Sequence, residues 1–270
     1  MSPGPFLILG CGYTGRRVAQ RLAARGCEVW ATARNSPDLS GVRGLRLDTQ
    51  IPSTLATLAH ALPDSLTILH SLPVPDDLHD VTGPILGALG QKTKRIVYLS
   101  TTGVYGAQRE VDEHSPAVPL SPSSRQRVRT EDLILNGGPW SGMVLRPAAI
   151  YGPGRGAHIS IPRGTFQLAG DGMNFVSRIH VDDLAALTEA ALFADAAGAW
   201  PVADEEPARS RDVAAFVSEL LGCAMPQSLP KEQLHETRRA DRRVDGRAVC
   251  RLLAVRLQYP SYRLGIPASL

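Results

Sequence analysis

Gly10, Gly12 and Gly15 stand in the stretch PFLILGCGYTG, directly after the apolar run Phe6 to Leu9 and ahead of Val18, Ala19, Leu22 and Ala23 at helical spacing. Strand, tight turn and helix in that order present backbone amides to an anion. Gly10 permits a turn that a side chain would block, Gly12 leaves the backbone open to a pyrophosphate, and Gly15 lets the helix pack closely on the strand. The N–H groups of Tyr13 and Thr14 at the helix start then face the phosphates, favoured by the helix dipole. A second strand, Glu28 to Thr32, runs into Arg34 within VWATARN. No carboxylate stands there to accept a bond from a ribose 2′-hydroxyl, whereas a guanidinium pairs with a 2′-phosphate through two parallel bonds. The pattern predicts a dinucleotide site that prefers NADP, with NAD as the other cofactor it could take. Asp48, after a third strand, reads equally as an acceptor for the adenine amino group or as a turn or helix N-cap residue.

The elements that must position these residues alternate along the chain. Strands are expected at Leu45 to Leu47, Leu66 to Leu69, Arg95 to Leu99 and Met143 to Arg146, with helices at Leu55 to Leu62, Leu78 to Leu89 and Arg125 to Leu135. Repeated strand–helix–strand units imply a parallel sheet covered on both faces. Ligands on such sheets lie beyond the carboxyl ends of the strands, which nominates Gly10, Arg34, Asp48, Ser71, Ser100 to Thr102 and Pro147. Residues 1–150 carry the sheet, a helix from His180 to Phe193 returns to it, and Trp200 to Ala203 add a strand, so 180–203 belong with it. A smaller lobe takes 151–179 and 204–270 and includes an amphipathic helix, Val213 to Leu221.

The 270 residues are 43% hydrophobic and 20% charged, an ordinary globular composition with material for a large core. A net charge of +3 does not suggest a bulk nucleic-acid or membrane binder, and a pI near 8.8 mildly favours anionic ligands. In the run HETRRADRRVDGR, Glu236, Asp241 and Asp245 break up the arginines and no aromatic residue interleaves them, so a nucleic-acid surface is not indicated. Cys11, Cys27, Cys223 and Cys250 lack CxxC spacing, which argues against a zinc site or a disulfide framework. No apolar run reaches the roughly 18 residues of a membrane span, and no signal peptide is evident; the expectation is a soluble cytoplasmic protein. Nothing in the chain sets an oligomeric state.

The runs ILGCGYTG, VYLSTTGVYG, VLRPAAIYGPGR and VSRIHVDDLA resemble, in order, the signatures of the extended short-chain dehydrogenases, the NAD(P)-dependent epimerase/dehydratase family. RRVDGRAV and YPSYRLG in the tail resemble its small atypical, YeeZ-type branch. The resemblance implies an α/β fold, a Rossmann doubly wound parallel sheet with a smaller C-terminal substrate lobe. It implies epimerisation, dehydration or reduction of a nucleotide-sugar-like or other small anionic carbonyl substrate. It places Thr101, with Thr102 beside it, where the family's Ser or Thr bonds the substrate. Aligning SPSSRQRVRTEDLIL on Pro122 and Glu131 puts Ser123 at the family's catalytic tyrosine and Arg127 at its lysine. Arg127 can still bond a ribose or phosphate, but it cannot release a proton, and an unactivated serine has no accessible ionisation near neutral pH. Tyr105 reads as packing, His158 as a solvated loop residue that could close over a substrate, and His180 as a turn residue beside Asp182 and Asp183. Arg155, Arg163, Arg178 and Arg209 fall in segments that build the family's substrate lobe. The alternative is a non-catalytic NAD(P)-binding redox sensor or regulatory protein, which loss of the Tyr–Lys pair favours.

Overall fold

Apolar runs without polar alternation belong in strands covered on both faces, and all four residues of Phe6–Leu9 are buried. In the computed structural model, which describes residues 4–234 and 239–270, this strand, β1, lies inside a seven-stranded sheet. Residues 235–238, with Glu236 of the arginine-rich run, lie outside the described residues. The other strands are β2 (Val29–Ala33), β3 (Arg43–Arg46), β4 (Leu66–His70), β5 (Thr93–Leu99), β6 (Ser141–Pro147) and β7 (Gly198–Val202). Their spatial order is β7-β6-β5-β4-β1-β2-β3, and every pairing from β6 through to β3 is parallel. The order reverses between β1 and β4, so the chain leaves the middle of the sheet in both directions and opens a crevice at the carboxyl end of β1.

The helices are α1 (Tyr13–Ala24), α2 (Pro52–Ala61), α3 (Thr82–Leu89), α4 (Pro122–Asn136), α5 (Val181–Phe193) and α6 (Ser210–Leu221). Leu58 of α2, Ile85 and Leu89 of α3 and Ile134 of α4 share one buried cluster with Leu7, Leu9, Ile68 and Ile96 of the strands. On the opposite face α1 and α5 meet: Glu189 accepts bonds from Arg21 at 2.6 Å and Arg25 at 3.1 Å, while Phe193 packs edge-on against Phe6 at 5.2 Å. The result is the doubly wound Rossmann-type α/β fold expected from the sequence. One boundary moves by a full turn. The helix expected from Leu78 begins at Thr82, because the Asp80 carboxylate takes the N–H groups of Thr82 and Gly83, and Leu78 adopts φ 57°, outside any right-handed helix.

The chain groups into two compact units: Met1–Val104 with Pro119–Leu145 and Ala185–Ala199, and Tyr105–Val118 with Arg146–Leu184 and Trp200–Leu270. Compared with the boundaries read from the sequence, 105–118, 146–150, 180–184 and 200–203 group with the second unit. That unit is built on α6, whose Val213, Ala214 and Val217 pack with Tyr151, Tyr262 and Ile266. Its YPSYRLG segment is held by Asp183, whose two carboxylate oxygens accept the N–H groups of Gln258 at 2.7 Å and Tyr259 at 2.8 Å. Burial pushes the Asp183 carboxyl above its ordinary range, with the two amides countering in part. Asp183→Asn replaces one charge-assisted acceptor by a neutral donor and is expected to cost about 1.5 kcal/mol in urea-unfolding stability.

Candidate functional site

The three glycines do different work. Gly10 takes φ +90°, and a Cβ there would lie 2.9 Å from the Ser71 carbonyl oxygen; one at Gly15 would overlap the Gly10 carbonyl oxygen. Both positions therefore exclude a side chain for reasons internal to the fold. Gly12 is different: its φ is −87°, and a Cβ would meet nothing. The turn is held from both neighbouring strands. Thr32 at β2 accepts the Gly10 N–H at 3.2 Å and donates to Ile8 at 3.3 Å, while Ser71, just past β4, donates to the Gly10 carbonyl at 2.7 Å. Ser71, nominated as a strand-end contact, thus uses its hydroxyl to shape the turn; Thr32 carried no recognisable signal in the sequence. Tyr13, Thr14 and Gly15 form the first turn of α1, which has no side-chain cap and no acidic residue. The helix dipole therefore favours negative charge at this end.

A cavity of about 570 Å³ opens beside this turn, walled by Gly10, Gly12, Arg34, Asp48 and Ser71 together with Cys11, residues 72–76 and His79. The structure thus brings together five of the residues nominated for a cofactor. Arg34 is exposed at the end of β2. Asp48 also serves its own turn, its Oδ1 accepting the Gln50 N–H at 3.1 Å ahead of α2. Burial pushes the Cys11 thiol up, with Arg16 offsetting part of the shift, so it stays protonated near neutral pH. Pro147 closes β6 and is buried.

Thr101 and Thr102 follow β5. Thr101 Oγ1 accepts the Gly103 N–H at 3.2 Å, and Thr102 opens a short 3-10 turn ending at Tyr105. Ser124 donates to the Gly103 carbonyl at 3.2 Å, so the start of α4 abuts the Thr101 segment. Ser121 caps that helix by accepting the Ser124 N–H. Ser123, Arg127 and Glu131 follow at intervals of four, on one face. Glu131 is buried and accepts from Ser100 Oγ at 2.5 Å. Arg127 Nη1 donates to the Tyr98 hydroxyl at 3.3 Å. None of Thr101, Thr102 and Arg127 is in the wall of the 570 Å³ cavity. Tyr98 is buried, and desolvation pushes its phenol up, with Arg127 countering only part.

Among the other residues singled out in the sequence, His158 sits otherwise than expected. His158 is buried, in place of the solvated loop position; burial pushes its imidazole down, with a backbone bond to Gly152 countering in part. Arg178 is buried and donates to the Val176 carbonyl at 2.6 Å. Arg155 and Arg163 are exposed. Tyr105 is buried with the Arg146 guanidinium 4.9 Å over its ring. His180 accepts the Asp182 N–H at 3.2 Å, contacts Ser269 Oγ at 3.1 Å and packs against the tilted Tyr259 ring, with centroids 4.1 Å apart. Among the described residues no group of His, Cys, Asp and Glu is arranged to hold a metal ion, and no helix is long and apolar enough to cross a membrane.

Against known proteins, the family model described as NAD dependent epimerase/dehydratase matches residues 6–201. Protein YeeZ of Escherichia coli (strain K12) is 29% identical over 94% of this chain and 95% of its own length. The solved structure of a functionally unknown conserved protein from Silicibacter pomeroyi DSS is 32% identical, superposes with a TM-score of 0.79, and matches across 99% of this chain and 98% of that one. At 21% identity, MoeE5, solved in complex with UDP-glucuronic acid and NAD, shares the fold with a TM-score of 0.81 over 98% of this chain and 97% of its own.

Proposed function

The chain belongs to the NAD dependent epimerase/dehydratase family, and from that premise we propose that it binds NADP in the cavity beside Gly12 and acts on a small anionic carbonyl compound of nucleotide-sugar type. The observation that carries the reading is the cavity itself: its wall combines Gly12, the open glycine just ahead of α1, with an arginine where a ribose-binding carboxylate would otherwise stand. The amides around Gly12, Tyr13 and Thr14 would hold the bridging phosphates, Arg34 the 2′-phosphate, and Asp48 the adenine amino group. Ser71 supports the turn, and Pro147 bounds the carboxyl edge of the sheet. When bound, the nicotinamide supplies hydride chemistry; Thr101, with Thr102 adjacent, would bond the substrate oxygen, and Arg127 would keep a positive field near the end of β5. NAD remains the second cofactor of this site. The sheet-bearing unit is assigned to the cofactor and the second unit to the substrate.

A second reading has its own support. Ser123 and Arg127 replace the proton-transfer pair, and Arg127 is bonded to Tyr98, which fits a protein that binds NAD(P) as a redox sensor or regulator without turnover. Calorimetric titration with NADPH and NADH tests the cofactor reading. NADPH is expected to bind more tightly, and Arg34→Leu to lose about tenfold in NADPH affinity with little change for NADH, as for one charge-assisted bidentate contact. Equal or tighter binding of NADH by the unaltered protein removes the NADP assignment, and heat from neither removes the whole reading. Hydride exchange between bound cofactor and UDP-sugars then separates the enzyme from the sensor.

A further inference from the structure

A short crossover carries Arg34. β2 and β3 are parallel neighbours at the edge of the sheet, so the chain must return from the carboxyl end of one to the amino end of the other. That step ordinarily takes about a dozen residues and an α-helix. Here residues 34–42 make it, and the described residues of this stretch form no helix. The return therefore crosses its own edge strand at close range, and Gly44 marks where. A Cβ at Gly44 would overlap the Pro37 carbonyl oxygen and lie 2.7 Å from Ser36 Oγ. Gly44 stands opposite Ala31, within β3, so the chain just after Arg34 rests on the strand.

The ends of the crossover are fixed as well. The Leu47 N–H donates to the Ala33 carbonyl at 2.9 Å, immediately before Arg34. At the far end the Val42 N–H donates to the Leu39 carbonyl at 3.1 Å, and a Cβ at Gly41 would lie 3.3 Å from the Ala23 Cβ of α1. Pro37, at the point of contact with Gly44, has its φ set by its ring. Arg34, Asn35 and Ser36 are exposed, so the guanidinium in the wall of the 570 Å³ cavity takes its placement from the backbone beneath it and not from burial of its own side chain.

We infer that Gly44 is a positioning residue for cofactor selection: having no side chain, it lets Ser36 and Pro37 lie on β3 and so holds the Arg34 backbone where its guanidinium meets a 2′-phosphate. β3 is held by its pairing with β2 from Trp30 to Ala33, so a methyl group at residue 44 displaces the crossover and not the strand that leads to Asp48. Arg34 must then be brought back, at an ordering cost, each time NADP binds. NAD lacks the phosphate and is indifferent to the shift. Gly10 and Gly15 shape a turn that either dinucleotide would meet, whereas Gly44 acts on one of the two alone. This inference rests on the cofactor reading above and extends it from Arg34 to the strand under its loop.

The test compares dissociation constants of NADPH and NADH, by calorimetry, for the unaltered chain, Gly44→Ala, Arg34→Leu and the double variant, with thermal melts alongside. Gly44→Ala is expected to weaken NADPH about fivefold, the cost of ordering one long side chain, and to leave NADH unchanged. In the Arg34→Leu background the same change should cost NADPH nothing more, because the group it positions is gone. A purely structural glycine would lower the melting temperature and leave the preference for NADPH intact; that result overturns the inference, as does an equal loss for both nucleotides. Should Gly44→Ala not fold, Pro37→Gly loosens the crossover without adding an atom at its contact with β3. It should reduce the preference about twofold, and an unchanged preference overturns the inference in the same way. An unaltered protein that binds NADH as tightly as NADPH removes the NADP reading itself, and the role of Gly44 with it.

Discussion

Gly12→Val is expected to leave the unfolding midpoint almost unchanged and to weaken dinucleotide binding by about a hundredfold or more. The two effects separate because Gly12 has an ordinary φ and open space where a Cβ would go, so the fold loses neither a strained conformation nor a packed contact. The isopropyl group instead enters the cavity where a phosphate must approach the backbone, and overpacking of a close contact costs about 3 kcal/mol, which is the stated factor. Gly10→Ala and Gly15→Ala are the controls with the opposite signature: each collides with main-chain atoms and should lower stability before binding is considered. Calorimetry beside thermal unfolding distinguishes them. A Gly12→Val protein that binds NADPH as the unaltered chain does would remove the phosphate site from this turn.

The largest stability effect is expected from acid. His70 ends β4, is 2% exposed, contacts Thr82 Oγ1 at 3.1 Å and packs edge-on against Tyr98 at 4.9 Å. Burial takes its imidazole from the ordinary 6.5 to about 4, Arg127 adding to the shift and its backbone bond and Asp80 opposing it. The unfolded chain takes up this proton near pH 6.5 and the folded chain only near 4, so the unfolded state binds more protons between those values. Stability is therefore level with respect to this group above the window and falls through it as pH drops, by about 3 kcal/mol in total. Urea unfolding at a series of pH values, for the unaltered chain and His70→Gln, isolates the contribution as the difference in slope. Equal slopes would show that His70 is protonated in the folded protein.

What could be read before folding, and what could not, follows from how far each signal reaches along the chain. The run Phe6–Leu9 with its glycines announces strand, turn and helix because every determinant lies within eleven residues, and α1 begins at Tyr13 as that pattern requires. The end of β2 was legible in the same way, and with it Arg34. Thr32 was not: its function is to grip a backbone amide 22 residues away, which no local pattern records. The solvated reading of His158 failed because glycine-rich sequence signals a loop but not whether the loop folds inward. The early start assigned to α3 counted apolar spacing and overlooked that Asp80 can terminate a loop by capping a helix.

Thr32 and Ser71 clasp the Gly10 turn from either side, and this bears on speed. A loop that must become ordered around its ligand slows productive encounters and adds an entropic penalty to each one. Here the curvature is already set by bonds to adjoining strands before any nucleotide arrives. Arrival is then governed by diffusion and charge, and differences in grip among nucleotides should surface in how long each one stays.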